Sequence, residues 1–426
     1  MADASAGLPR RSAVVWVALS VLLAVHVGVV ASILVADRPI IWPLHNDTIH
    51  RKGRGADFFA VYHAALSVRR GQDPYAIDPD GVTPYFFAFR YLPIVAIAAE
   101  PLTALQPQTA YVVWVMTLEA LLAVFIVTLW RSLPDTGVRM AAVGLLLVNS
   151  PYFLELYMGQ FTFVSAALCV LAFLLPAGPL YFAVSAVLKP FTLAALPALA
   201  RERRYWWHLI VALVAVAGLS LPYFIRHPVQ RNIFLDANFT PVGGLGIGNV
   251  GLVQWLSLVT ADAGFPWGPG RLPIGVSALR FLVLGVTALV VWRGRSRPIV
   301  SGACALLLAH FLTYQQVWEH HMSAVMVLGT WLLTLDVRRQ TRVTSLVIAA
   351  LVLLALPTPF GWFDVAKDPS VFDPTGSWPR YAMYVVVLSK VVPTLLLFAC
   401  AIAAVRREGL MPWRDAFRPS RISAAQ

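Results

Sequence analysis

The chain has little charge and almost no sulfur chemistry. Only 13% of its 426 residues are charged, and cysteine occurs three times, at Cys169, Cys304 and Cys400, each within an apolar run. That spacing excludes a disulfide framework and a cysteine metal site, and the three read as small buried hydrophobes. Acidic residues are fewer than basic ones, 21 against 33, for a formal net charge of +12. The basic residues come in short clusters between apolar runs, which is the positive-inside pattern rather than a nucleic-acid footprint. No repeat-family period is evident by eye, nor the inverted halves of a transporter.

What the chain does have is apolar surface. Hydrophobic residues make up 59%, and the mean hydropathy is +0.72. A soluble interior of this size cannot hide so much, so lipid must cover the rest. Long apolar runs occur at 12–36, 109–131, 138–156, 160–176, 205–225, 275–293, 298–315, 320–336, 343–359 and 380–405. Each is near the roughly 20 residues that cross a hydrocarbon core of about 30 Å. The first is too long for a signal peptide and has no A-x-A-like exit, so it reads as a retained span.

Arg10 and Arg11, Arg131 and Arg139, Arg201, Arg203 and Arg204, Arg293 to Arg297, Arg338 to Arg342, and the arginines from Arg406 onward are all expected on the cytoplasmic side. That holds only if 178–200 folds as a short hairpin, 178–189 up and 190–200 back. Lys189-Pro190 marks its turn, because proline breaks a helix and disfavours helix in the residue before it. Each arm is too short to cross, so the lysine stops within the membrane, where it needs water, an anion or a carboxylate.

The expected fold is therefore all-α, a polytopic membrane protein of about twelve transmembrane or partly inserted helices. Residues 1–405 form one membrane domain and 406–426 a basic cytoplasmic tail. Three outer loops are expected at 37–108, 226–274 and 360–379. The stretch from Tyr91 to Leu105, broken by Pro93 and Pro101, reads as an interfacial helix. The expected location is the plasma membrane, multi-pass, with both termini cytoplasmic and the site on the outer face.

In the first loop, Phe58, Tyr62 and Ala65 fall at helical spacing, giving an apolar face that can rest on the membrane domain. Asp57 then lies in the first turn. Two readings are open: a helix cap, or a carboxylate placed just outside the bilayer as a general base. Gln160 is placed to bond a sugar or to satisfy a helix end. Lys189 reads as an anion-binding group, against the alternative of a pair with Glu119 or Glu155. In Trp318-Glu319-His320-His321 the adjacent histidines should point in different directions. One is then structural, while the other donates to a phosphate or orients the base. Gly243 to Gly251 is a glycine-rich loop that permits close approach of a ligand. His26, Glu119, Arg280 and Lys390 are polar positions within spans, with no partner evident.

In this order, these pieces resemble the GT-C polytopic glycosyltransferases, and among them the PimE-like polyprenol-phosphate-mannose-dependent α-mannosyltransferases of actinobacteria. The matching features are Asp57-Phe58 with Tyr62 and Ala65, Gly71 to Tyr75, Tyr85, Phe89 to Pro93, Gly159-Gln160, Lys189-Pro190 and Trp318 to His321. Leu92 stands where the family usually has a second proline. Asn249-Val250-Gly251 replaces a polar Asn-Gln-Ser type motif, which bears on substrate identity more than on reaction class. The resemblance implies Asp57 as catalytic base and a lipid-linked monophosphosugar donor used on the outer face. It places Lys189, His321 and Arg90 on the donor phosphate, and His320, Gln160, Tyr62, Trp318 and Asn249 around the sugar or acceptor. No metal and no cofactor are expected. The expected partners are a polyprenyl-phosphate sugar, a glycolipid acceptor and membrane lipids, with no nucleic acid. The rivals are a secondary transporter or lipid flippase using Glu119, Lys189, Arg280 and Lys390, and a non-catalytic cell-envelope assembly subunit.

Overall fold

A computed structural model describes residues 8–44, 53–76, 89–133, 135–239, 248–267, 271–294, 299–335, 341–363, 379–407 and 409–410. Tyr85, most of the 243–251 glycine loop, Arg338 and most of the C-terminal tail lie outside the described residues. Among those described the fold is helical, with no strand longer than a single bridge. Six stretches are long and apolar enough to cross a membrane: Val15–Val35, Pro107–Ser132, Thr136–Met158, Arg203–Arg226, Leu272–Arg293 and Arg380–Arg406. The chain is a polytopic membrane protein.

In chain order the helices are α1 (Leu8–Val35), α2 (Ala56–Arg69), α3 (Pro93–Ala99), α4 (Pro107–Ser132), α5 (Thr136–Leu147), α6 (Ser150–Met158), α7 (Thr162–Leu174) and α8 (Gly178–Leu188). They continue as α9 (Leu196–Ala200), α10 (Trp206–Arg226), α11 (Pro228–Phe239), α12 (Leu252–Asp262), α13 (Leu272–Arg293), α14 (Ile299–Thr313), α15 (Met322–Leu332), α16 (Thr341–Ala355) and α17 (Arg380–Arg406). The third span is broken between α5 and α6. Asn149 bridges the break, donating to the carbonyls of Leu145 and Leu146 and accepting from the Tyr152 amide. The break is thus capped on both sides, which is how an unpaired backbone survives inside a bundle.

The hairpin at 178–200 forms as its sequence suggests. Gly178 sits against Ala172 and His208, and a Cβ there would lie 2.2 Å from the Ala172 carbonyl oxygen. At the other foot, Arg201 donates to the carbonyls of Val291 (2.6 Å) and Gly294, at the basic end of α13. Both feet therefore stand at the end of the bundle that carries Arg293. The tip at Lys189 is held by a reciprocal pair: Ser165 Oγ donates to the Ser185 carbonyl (2.8 Å) and Ser185 Oγ to the Ser165 carbonyl (2.7 Å). The second arm begins as a 3-10 turn over Pro190–Ala195.

The opposite end is built from distant stretches. Arg54 donates to the Ile33, Leu34 and Ala36 carbonyls and so caps α1. The Gly55 amide donates to Tyr157 (2.7 Å), at the end of α6. The apolar face expected of α2 proves too narrow a description. Ala56 to Ala65 are all buried, because α3, the 3-10 turn Glu100–Ala104, α4 and α6 pack around the helix. The expected interfacial helix is two short pieces, α3 and that turn.

Candidate active site

The polar cluster begins with a glycine. Gly159 ends α6 with φ +68°, and a Cβ on it would lie 2.5 Å from the Phe58 Cβ. Only glycine permits that approach. It sets the first turn of α2 against the start of α7. Asp57, 6% exposed, is the second residue of α2, and Gly55 rather than Asp57 occupies the cap position. The carboxylate is therefore not the helix cap.

Lys189 faces this turn from the hairpin tip. Its ammonium donates to Gln160 Oε1 (2.9 Å) and Thr162 Oγ1 (2.7 Å). No ion pair with Glu119 or Glu155 forms, and the charges of both Glu155 and Asp57 are felt at the ammonium. A second donor, the Tyr91 hydroxyl, reaches Gln160 Oε1 at 3.4 Å. Tyr91 senses Asp57 and Glu155 in turn, and burial pushes its phenol well above the ordinary range, so it stays a donor. Because an ammonium needs an acceptor, these bonds orient the Gln160 amide. Its nitrogen has no protein partner among the described residues.

Beneath this layer Glu155, fully buried, binds two segments together. It accepts from the Phe163 amide (2.8 Å) and from Ser323 Oγ (2.8 Å), and Ser323 also donates to the His320 carbonyl (2.7 Å). The 318–321 turn is thus fastened to the start of α7. His321 Nδ1 accepts from the Trp318 amide at 2.9 Å. The neutral ring then carries its proton on Nε2 as a free donor, and its surroundings feel Lys189. The expectation that the two histidines diverge is corrected: their rings lie 4.3 Å apart at 49°. The two rings lie within a 3-10 turn, Glu319–His321, that runs directly into α15, rather than on an α-helical turn.

The remaining expected residues divide. Tyr62 donates to the Leu105 carbonyl (2.7 Å), tying α2 to the turn after α3. Asn249 donates to the Gln315 carbonyl (2.6 Å) and accepts from the amides of Gly251 (3.0 Å) and Val317 (3.1 Å), so both ends of its side chain lock one loop to another. Arg90 is exposed, and its charge is felt at Tyr91 and Tyr314. Trp318 is half-buried beside His321. Sequence reasoning did not single out Thr162, or Ser323, whose roles depend on partners 27 or more residues away. The position of Thr162, two residues after Gln160, was the available signal.

The four intramembrane charges of a transporter relay lie in separate pairings. Glu119 accepts from His26 (2.8 Å) and Tyr152 (3.0 Å), and Lys390 lies 4.0 Å from Glu319. Arg280 reaches His310 at 3.4 Å, and Lys189 belongs to the cluster above. A small hollow between Leu332, Val347 and Cys400 lies at the other end of the bundle, with walls unsuited to a polar substrate. No group of three metal-ligating side chains occurs among the described residues. The sequence does hold one Asp-x-Asp triplet, Asp78-Pro79-Asp80, outside those residues.

The fold is that of a polytopic membrane protein with a polar cluster at one end, assembled from a loop helix, a hairpin tip and a histidine turn. Residues 89–314 match glycosyltransferase family 87, more than half of the chain, and the protein belongs to that family. The matched stretch includes Arg90, Gln160, Lys189 and Asn249, and leaves Asp57, Tyr62, Trp318, His320 and His321 outside it. No curated protein matches the chain.

Proposed function

We propose that this glycosyltransferase moves a hexose, mannose first, from a polyprenyl-phosphate donor to a hydroxyl of a glycolipid or lipoglycan on the outer membrane face. Asp57 takes the proton of the acceptor hydroxyl, whose oxygen attacks the anomeric carbon. The bond from that carbon to the phosphate oxygen breaks, and polyprenyl monophosphate leaves. A single displacement inverts the centre, so a β-linked donor gives an α-linked product. Lys189, His321 Nε2 and Arg90 meet the charge growing on the phosphate, where charge-assisted hydrogen bonds count most. The free Gln160 amide, with His320 and Trp318, is on the sugar side. The reading routes no step through a metal.

What supports this reading is that Asp57 and Lys189, more than a hundred positions apart in the chain, lie in one polar cluster, with the carboxylate's charge felt at the ammonium. A base and an anion receiver must adjoin if one displacement is to pass between them. Asp57→Asn is isosteric and removes the base. Purified variant given polyprenyl-phosphate mannose and a phosphatidylinositol mannoside acceptor is expected to lose roughly 100-fold or more of its turnover, with unchanged thermal unfolding. Near-normal turnover would remove Asp57 from the base role.

A further inference from the structure

The proposed chemistry leaves Arg280, a half-buried cation within a membrane span, unused. Arg280 lies eight residues into α13, on the seam that also carries the buried Val276, Thr287 and Val291. The rest of that helix faces lipid: Phe281 is 84% and Ile274 71% exposed. Among the described residues no carboxylate pairs with Arg280, and its one hydrogen bond is from Nη2 to His310 Nδ1 (3.4 Å). A guanidinium offers five donors in a planar fork, so most of them are unspent in a place where an unpaired charge is costly.

His310 connects this cation to the site. Its ring stacks between Phe191, two residues past Lys189, and Tyr314, at centroid distances of 5.9 and 5.4 Å. Tyr314 in turn meets His321 edge-on at 5.8 Å. With Nδ1 accepting from Arg280, the neutral His310 ring bears its proton on Nε2. Arg280 is felt at Tyr314 and His310, whereas Lys189 is felt at His321. A run of contacts, Arg280 to His310, His310 to Tyr314 and Tyr314 to His321, therefore leads from the lipid-facing helix to the histidine turn.

We propose that Arg280, assisted by His310, is a second anion subsite that receives the phosphate of a prenyl lipid from the bilayer before it passes to Lys189. The subsite deepens the glycosyl-transfer reading and rests on it for the identity of the lipid. The fork of Arg280 grips two phosphate oxygens, and the exposed apolar surface of α13 carries the chain.

The test measures equilibrium binding of polyprenyl monophosphate, without sugar, to the purified full chain in nanodiscs. Phosphatidic acid and inorganic phosphate serve as comparison probes. R280Q is expected to bind the prenyl phosphate about ten-fold more weakly, as loss of a charge-assisted bidentate contact predicts. Its KM for the sugar donor should rise by more than its kcat falls. R280K keeps the charge and loses the fork, so it should fall between R280Q and the wild type and decides the matter if R280Q does not fold. Wild-type affinity in folded R280Q or R280K overturns the subsite. An equal dependence of phosphatidic acid or inorganic phosphate binding on Arg280 overturns the prenyl assignment. Because binding is read without transfer, Arg280-dependent binding in a protein that transfers no sugar leaves the subsite standing and removes the transfer reading. Normal transfer with Arg280-independent binding does the reverse.

Discussion

Lys189 and Gln160 are joined by a 2.9 Å hydrogen bond that fixes both the ammonium and the direction in which the amide nitrogen points. In the proposed reaction the two meet different groups, the donor phosphate and the sugar or acceptor, so their variants should separate. Lys189→Ala removes the charge that meets the donor phosphate and should raise the donor KM about ten-fold or more, with a smaller change for the acceptor. Gln160→Glu keeps the acceptor for Lys189 but removes the free N–H donors, so it should act mainly on sugar or acceptor recognition. Steady-state kinetics with each substrate varied in turn check this. A larger acceptor effect for Lys189→Ala would relocate the lysine.

Gly159 determines whether the cluster assembles at all. Alanine there would adopt a left-handed φ of +68° and bring its Cβ to 2.5 Å from the Phe58 Cβ, a body of the backbone-proximal kind that cannot swing aside. The conformational part alone costs about 1–2 kcal/mol, and the clash adds to it. Gly159→Ala should lower the thermal midpoint and reduce turnover together. Gly71→Ala is the control: φ is +70° there, but nothing lies within 4 Å, so only the conformational cost applies. Equal losses in both variants would mean that the contact with Phe58 does not matter.

The large features of the fold were legible because they rest on local rules. Lys189-Pro190 marked the hairpin tip, and the arginine clusters required that 178 and 200 start and finish at the same end. The break at Asn149 was missed, because 138–156 reads as one span, although Asn149-Ser150-Pro151 offers a cap followed by a helix-starting proline. The apolar run around it hid the signal. Gln160, Tyr91 and Lys189, singled out in three separate segments, do adjoin, but sequence could not say which polar atoms were already spent. Asn249 looks the same in sequence whether it holds a sugar or two backbone amides, and only its neighbours Gln315 and Val317 decide. Asp57 reads from sequence as a cap or a base, and Gly55 in the cap position removes only the first of these. Glu319 and Lys390, 71 residues apart, had no visible reason to meet.

Metal dependence can be checked directly. In the proposed reaction Lys189, His321 and Arg90 meet the charge of the leaving monophosphate, so sugar transfer should survive extensive treatment with EDTA. The triplet Asp78-Pro79-Asp80 gives the opposing case a definite form, since two carboxylates at that spacing suit a divalent cation. Asp78→Asn with Asp80→Asn should leave turnover within about three-fold of wild type, a change worth less than about 1 kcal/mol. Loss of activity with EDTA, restored by magnesium or manganese and absent in the double variant, would bring a metal into the reaction.

The Glu319–Lys390 pair tests how the histidine turn is held. Glu319 Oε1 accepts from Ser150 Oγ (2.6 Å) and from the Thr358 amide (3.3 Å), and the Lys390 ammonium lies 4.0 Å away while donating to the carbonyls of Leu354 (3.0 Å) and Leu356. Both side chains are buried, at 4% and 1% exposure, so neither charge has water to fall back on. Removing one partner leaves the other uncompensated, which costs about 3–5 kcal/mol, whereas replacing both with apolar groups of similar size can be nearly neutral. Glu319→Leu alone and Lys390→Met alone should therefore each destabilise the protein strongly, and the double variant should recover much of the loss. Chemical denaturation in detergent gives the three stabilities, and turnover measured on the same samples separates folding from function. The double variant should regain stability ahead of activity, because Glu319 immediately precedes His320 and its bonds to Ser150 and Thr358 are lost in either case. Strictly additive losses would show that the two charges do not support one another.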